Sequence, residues 1–298
     1  YGTVYGGRGL GTVAGYTHGG EGGTNVIDRF TFGSSANAAD HGDLSTFRTY
    51  MGGHSSITHG YSSGGFGAGS VNTSKIDKYA FGSNTTSTVH SNLTLIRRHI
   101  TGTTNITHGY TAGGAAGSTY LNTIDKFTFS ADANATDVGD LINNSYGPAG
   151  QSSTTHGYIF GGSGSSHGSY SLYTEKFSFT TYAQSGNIAN LSYGCNEPAG
   201  HNTEHHGWRS GGGEGGSPYR SNRADKISFA SDTSWTHTNT LNYIRKASSG
   251  MSSLTHGYTG GGHVGNPTSL QAVQEKFSFS SNGGSTNVAD LIQARETA

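Results

Sequence analysis

Five histidines stand before a glycine at regular intervals: His59, His108, His156, His206 and His256. A repeated imidazole invites a metal reading, because neutral histidine is a common ligand for zinc. Regular spacing argues against it. Zinc gathers its ligand atoms at ~2 Å from one ion, whereas these histidines fall one to each of several separate units. The His-Gly step is instead expected to be a two-residue hairpin turn, a place usually taken by Asn-Gly, with histidine tolerating positive φ. His205-His206 with His201 is a richer local cluster without a ligand spacing. Four arginines share a second phase: Arg48, Arg97, Arg245 and Arg295 each lie four residues after a leucine. The equivalent places in two further units hold Ser145 and Cys195. A guanidinium at this phase could bind carboxylates or glycan hydroxyls. It could equally neutralise an acid that recurs as Asp28, Asp77, Asp125, Glu175, Asp225 and Glu275, since a buried carboxylate needs a partner. The ion pair is the preferred reading, although it leaves the acids near Ser145 and Cys195 unexplained.

Tyrosines form a third set. Tyr120, Tyr170, Tyr173 and Tyr219 lie in variable segments rich in Gly, Ser and Asn, and Tyr146, Tyr193 and Tyr243 lie in connections. Antibody loops use this mixture, with tyrosine as the rigid amphipathic contact. No carboxylate pair, P-loop or serine elbow stands out. The GGGEGG run at 211–216 opens no helix, so it reads as a loop and not a phosphate cradle. The expectation is a non-enzymatic protein without cofactor or metal.

Composition narrows the classes further. Seventeen Lys+Arg against 18 Asp+Glu give a net charge of −1, which argues against nucleic acid as a partner. There is no polybasic tract for a membrane surface and no apolar run long enough to span a bilayer. The lone Cys195 excludes an internal disulfide framework. No signal peptide is visible, and a start at Tyr1 reads as a processed chain or as part of a longer one.

What must position these residues is a repeat. An aromatic followed closely by two glycines recurs at Tyr16, Tyr61, Tyr110, Tyr158, Trp208 and Tyr258, with spacings of 45, 49, 48, 50 and 50. Behind each glycine pair come IDRFTF, IDKYAF, IDKFTF, TEKFSF, ADKISF and QEKFSF, and then a leucine at 44, 93, 141, 191, 241 and 291. Each unit reads as four short strands: a Ser/Thr stretch, the strand from the aromatic to Gly-Gly, the DKFTF block, and a fourth ending at the leucine. The alternation of the block sends Phe127 and Phe129 to one face and Lys126 and Thr128 to the other. Phe30, Phe81, Phe127, Phe177, Ile227 and Phe279 are expected between units. A single unit cannot bury both faces, whereas units arranged radially can. The sequence therefore predicts an all-β, six-bladed β-propeller of four-stranded antiparallel blades. The blades fall near 9–44, 53–93, 102–141, 150–191, 200–241 and 250–291, and residues 1–8 form an arm or partial repeat.

On these motifs the chain resembles the kelch family of β-propellers over residues 9–291. The Gly-Gly pair and the third-strand aromatic match. The family's fourth-strand tryptophan is replaced near Val138, Ile188 and Val288, and only Trp235 stands close. The wording THGYxxGG…IDKFxFxxDxNATDVGDL is more similar to kelch-like repeats in structural proteins of marine bacteriophages. Some kelch propellers are copper-radical oxidases built on a Cys–Tyr crosslink; Cys195 lies near Tyr193, but no ligand set accompanies them. The resemblance implies an extracellular or virion-surface module, part of a phage fibre or appendage, that contacts host glycan or another virion protein. A homo-oligomer fits such an assembly. Alternatives are a multivalent lectin of cellular origin and a cytoplasmic kelch-type adaptor. In a meander, the segments after Gly-Gly and the unit-to-unit connections share one face, and the binding residues named above are expected there.

Overall fold

Alternating side chains and frequent glycines leave strands as the only regular structure, and the chain is all-β. The computed structural model describes residues 13–21, 23–166, 168–216, 219–264 and 269–296. Residues 1–8, read above as an arm or partial repeat, lie outside them. Among the described residues there is no helix, and so none long and apolar enough to cross a membrane.

Each repeat folds into one antiparallel meander. In the third, Thr101–Thr104, His108–Ala112, Thr123–Thr128 and Thr136–Asp140 pair in chain order. The second, fourth, fifth and sixth follow the same order, and the first shows Ala14–His18, Val26–Thr31 and Ala39–Asp43. The fourth strands stop just before the leucine in most repeats. Two continue past it, Gln184–Cys195 and Thr236–Lys246.

The His-Gly step is not the turn. His59–Ser63 is a strand that already contains both residues, and the hairpin closes one step earlier, with Ser56 N donating to His59 O at 2.8 Å. Ser56 Oγ accepts from His59 N at 3.0 Å, so a serine side chain shapes the bend. The glycine has a different cause. A Cβ at Gly109 would stand 2.4 Å from Phe127 Cζ, and one at Gly257 would meet Phe277 in the same way. The third-strand ring occupies the space that a second-strand side chain would need, so any larger residue there must displace it.

The buried series is Phe30, Tyr79, Phe127, Phe177 and Phe277, with Ile227 in place of the aromatic in the fifth repeat. Phe81 and Phe279, expected in this series, sit two residues further along their strands and are only half-buried. They do lie between units, as expected, stacked on the second-strand aromatic of a neighbouring repeat: Phe81 on Tyr16 at 4.7 Å, Phe279 on Trp208 at 4.1 Å. Phe81→Ala is therefore expected to cost roughly 1–2 kcal/mol, against roughly 3–5 for fully buried Phe127→Ala. A urea titration of both variants checks this; an equal loss would mean that the two positions are equally buried.

Adjacent meanders dock through a few recurring contacts. First strands meet backbone to backbone, so that a Cβ on Gly150 would lie 2.5 Å from Gly102 O and one on Gly200 2.6 Å from Gly150 O. Connections hydrogen-bond in series: His99 N to Tyr50 O at 2.9 Å, Gly147 N to His99 O at 2.9 Å, Glu197 N to Gly147 O at 2.8 Å, Ala247 N to Glu197 O at 3.0 Å. Tyr50, His99, Gly147, Glu197 and Ala247 all take positive φ to do so. The last repeat touches the first: Tyr258 OH donates to Phe32 O at 3.3 Å, and Ala38 N to Asp290 O at 2.8 Å.

Candidate functional site

The glycine pairs bring the loops and connections together. Both glycines of each pair have positive φ, which lets the second donate its N–H to the connection leaving the same repeat. Gly65 N reaches Arg97 O at 2.9 Å and Gly114 N reaches Ser145 O at 2.7 Å. The residue after the pair then bridges to the connection entering that repeat: Phe66 with Thr49, Ala115 with Arg98, Ser163 with Tyr146, Gly213 with Asn196, His263 with Lys246, Glu21 with Glu296. Loops and connections thus form one continuous surface.

The arginines lie beneath that surface. Arg48, Arg97, Arg245 and Arg295 are all 0 % exposed. Each crosses to the next repeat and pairs with its acid: Arg48 with Asp77 at 2.8 Å, Arg97 with Asp125 at 3.0 Å, Arg245 with Glu275 at 2.5 Å, Arg295 with Asp28 at 2.9 Å. Each also caps the carbonyl of the first glycine there, as Arg97 does for Gly113 at 3.0 Å. Their guanidinium groups are buried and occupied, so the four arginines leave the set of ligand contacts.

The two units without this arginine solve the problem differently. Asp225 is bonded by Arg209, on the second strand of its own repeat, at 2.9 Å from Nε. Burial alone would raise the Asp225 pKa, but Arg209 and Ser192 more than offset it and hold the carboxyl below the usual range. The small Cys195 fills the vacated place with its thiol buried, which raises it to about 11. Among the described residues Glu175 has no arginine partner, and it receives Ile142 N at 2.8 Å and Asn143 Nδ2 at 2.6 Å. Burial leaves its carboxyl above the ordinary range. Arg209 carries no mark in the sequence because its phase belongs to another strand.

The tyrosines separate into groups. Tyr120 stacks on Tyr146 at 5.2 Å, Tyr146 on His99 at 3.9 Å, and His99 on Tyr50 at 3.8 Å, which makes a ladder of rings across successive repeats. His99, unmarked by any motif, is buried at its centre, where desolvation and then Arg98 and Lys246 lower its pKa to about 3. Burial and then Glu197 push Tyr146 up to about 12. Tyr170 and Tyr193 flank the 213–216 loop, where a Cβ at Gly215 would touch the Tyr170 ring at 3.1 Å. Tyr243 lies half-buried under the Arg245 guanidinium. Tyr120, Tyr173, Tyr193 and Tyr219 are the exposed members, Tyr219 most of all at 63 %.

The histidines that open the second strands are half-buried, and His59, His108, His156 and His256 are each paired through Nδ1 to the preceding threonine hydroxyl at 2.8 Å. No protein-family model matches the chain and no curated protein matches it.

Proposed function

We propose that this chain is a closed six-bladed propeller that works by binding, presenting its loop-and-connection face to a cell-surface glycan or to a partner protein in an extracellular or virion assembly. Closure is supported by register: Glu21 meets Glu296, and Arg295 meets Asp28, in the same relation that joins successive repeats elsewhere. The kelch-like wording of the repeats agrees with this architecture and with the phage-appendage setting.

The observation that carries the binding role is the contrast between the two residue sets on one face. The arginines at the repeating phase are buried structural ties, whereas Tyr120, Tyr173, Tyr193 and Tyr219 are large apolar rings left exposed among variable Gly/Ser/Asn loops. Exposed tyrosines suit sugar rings and protein surfaces alike, and interface energy concentrates in a few such anchors.

Alanine scanning of these four tyrosines, with His59, His108 and His256 as the comparison set, tests the reading through glycan-array and cell-attachment binding. Tyrosine variants are expected to lose at least about 10-fold in affinity, as for anchor residues elsewhere, with histidine variants unchanged. Loss confined to the histidine set, in variants that stay folded, would overturn the choice of face.

A further inference from the structure

Six backbone bridges join a loop residue to the incoming connection, and five of them include no acidic side chain. The sixth sets two acids together. Glu21 N donates to Glu296 O at 2.8 Å, so the main chain itself holds both glutamates in place. His263, on the loop of the sixth repeat, adds an imidazole, and its Nε2 lies against Glu296. One ligand atom from each of Glu21, His263 and Glu296 falls within 4.8 Å of the others.

No direct ion pair to a lysine or arginine neutralises this set among the described residues, although Lys246 lies near enough to act on Glu296. Glu296 is 5 % exposed. Lys246 is itself held by Glu197 at 2.8 Å. The Tyr50 hydroxyl donates to Glu21 Oε2 at 3.1 Å, a neutral contact that leaves the charge in place. A second imidazole, this one buried, stands behind Tyr50, the residue bonded to Glu21. His99 is only 6 % exposed, its Nδ1 has no hydrogen-bond partner, and it faces Glu197 Oε1 at 3.8 Å. Lys246, Arg98 and Arg220 also lie near these imidazoles, so the region carries both signs of charge, while Glu21, His263 and Glu296 converge on one point.

We propose that Glu21, His263 and Glu296 form a divalent-metal site of the mixed imidazole–carboxylate kind, taking Zn(II) or Mn(II), that ties the first repeat to the sixth. The donor set fits those ions: imidazole suits zinc and other borderline metals, and carboxylate suits manganese and zinc. Zinc bonds of ~2.0–2.1 Å separate tetrahedral ligand atoms by about 3.3 Å, so side-chain rotations of about an ångström complete the geometry. Three protein ligands leave a further position for water. Two negative charges brought to one cation replace a repulsion by an attraction, and ligands drawn from both ends of the chain make binding energy into ring-closure energy.

The test uses the full chain, stripped with chelator and titrated with zinc, manganese or calcium chloride, read by calorimetry, bound-metal analysis and thermal unfolding. Zinc or manganese is expected to bind at about one ion per chain and to raise the melting temperature. Glu21→Gln, at an exposed side chain that the fold does not need, and His263→Ala are each expected to weaken binding at least about 100-fold. His206→Ala, in a strand of another repeat, should bind as the unaltered chain does. Tyrosine variants of the binding face should also keep the metal, which separates this site from the glycan reading. No bound zinc or manganese, calcium binding alone, or undiminished binding by Glu21→Gln would each overturn the proposal.

Discussion

Stability is expected to fall steeply between about pH 6.5 and pH 4.5, by roughly 7 kcal/mol in metal-free protein. Three fully buried histidines set the sign, and the nearly buried His99, also lowered to about 3 by desolvation, acts in the same direction. Burial is the leading cause that lowers His18 and His54 to about 3 and His201 to about 4. His54 is held neutral between Thr103 O at 3.3 Å, Ser63 Oγ at 2.9 Å and the edge of Phe127. His201 repeats the arrangement with Met251 O at 3.0 Å, Ser210 Oγ at 2.8 Å and Phe277. Below pH ~6.5 the unfolded chain takes up protons at these sites while the folded chain refuses them, so each histidine removes about 1.4 kcal/mol per pH unit. The stabilisation is complete above the unfolded pKa and is lost as pH falls toward the folded values. Glu296 acts in the opposite sense, since burial and then Glu197 raise it to about 8. One such carboxylate offsets about one histidine, and the net slope is still a loss. Urea midpoints measured across this range, with chelator present, check the prediction. The fourth repeat supplies the control: it carries Gln151 at the position of His54 and His201, and its Nε2 bonds Trp208 O. A His54→Gln/His201→Gln variant should therefore fold and lose well over half of the acid sensitivity, with His18 and His99 keeping the remainder. A flat profile in the unaltered chain would show that these histidines are protonated in the fold.

Arg97→Met is expected to destabilise the protein by roughly 3–5 kcal/mol, because it leaves a buried carboxylate without its cation. Arg97 donates to Gly113 O at 3.0 Å, Thr123 O at 2.8 Å and Thr111 O at 3.2 Å while pairing with Asp125, so several carbonyls are also uncapped. Asp125 keeps only the bonds from Thr94 N at 2.9 Å and Thr94 Oγ1 at 2.6 Å. Removing both charges in Arg97→Met/Asp125→Leu should restore part of the loss, because most of the cost is the stranded charge. Arg295→Met carries the same reasoning to the contact between the last and first repeats. It should cost a similar amount if the ring is closed, and under about 1 kcal/mol if those repeats part in solution. Ser145→Arg is the reciprocal change: it offers Glu175 the partner that the other repeats possess. Denaturant titration of the set decides among these outcomes.

Several features are legible in the amino-acid order because each is local and repeated. Glycine pairs, the buried acid and the leucine recur in phase, and strands, meanders and the arginine–acid pairing follow from period-two alternation and the cost of an unpaired buried charge. The His-Gly step misleads because Gly after a polar residue usually marks a turn; here the glycine is demanded by a ring from the next strand, Phe127 over Gly109 or Phe277 over Gly257. Phe81 and Phe279 fall into the wrong series because their blocks, KYAF and KFSF, offer two aromatic positions on one face of the strand. Alternation names the face but not which of the two lies deeper.

The repeating unit belongs to the amino-acid order alone: its strands, its glycine-bounded turns and the polarity of each face are all properties of residues near one another along the chain. Which side chains from different units meet is decided only when the units pack. Arg209 replacing a missing neighbour, His99 lying between Tyr50 and Tyr146, and Glu21 facing Glu296 and His263 depend on how far each meander rotates against the next. That rotation is set by summed packing of glycine backbones and aromatic rings across every interface, a quantity that no single repeat contains.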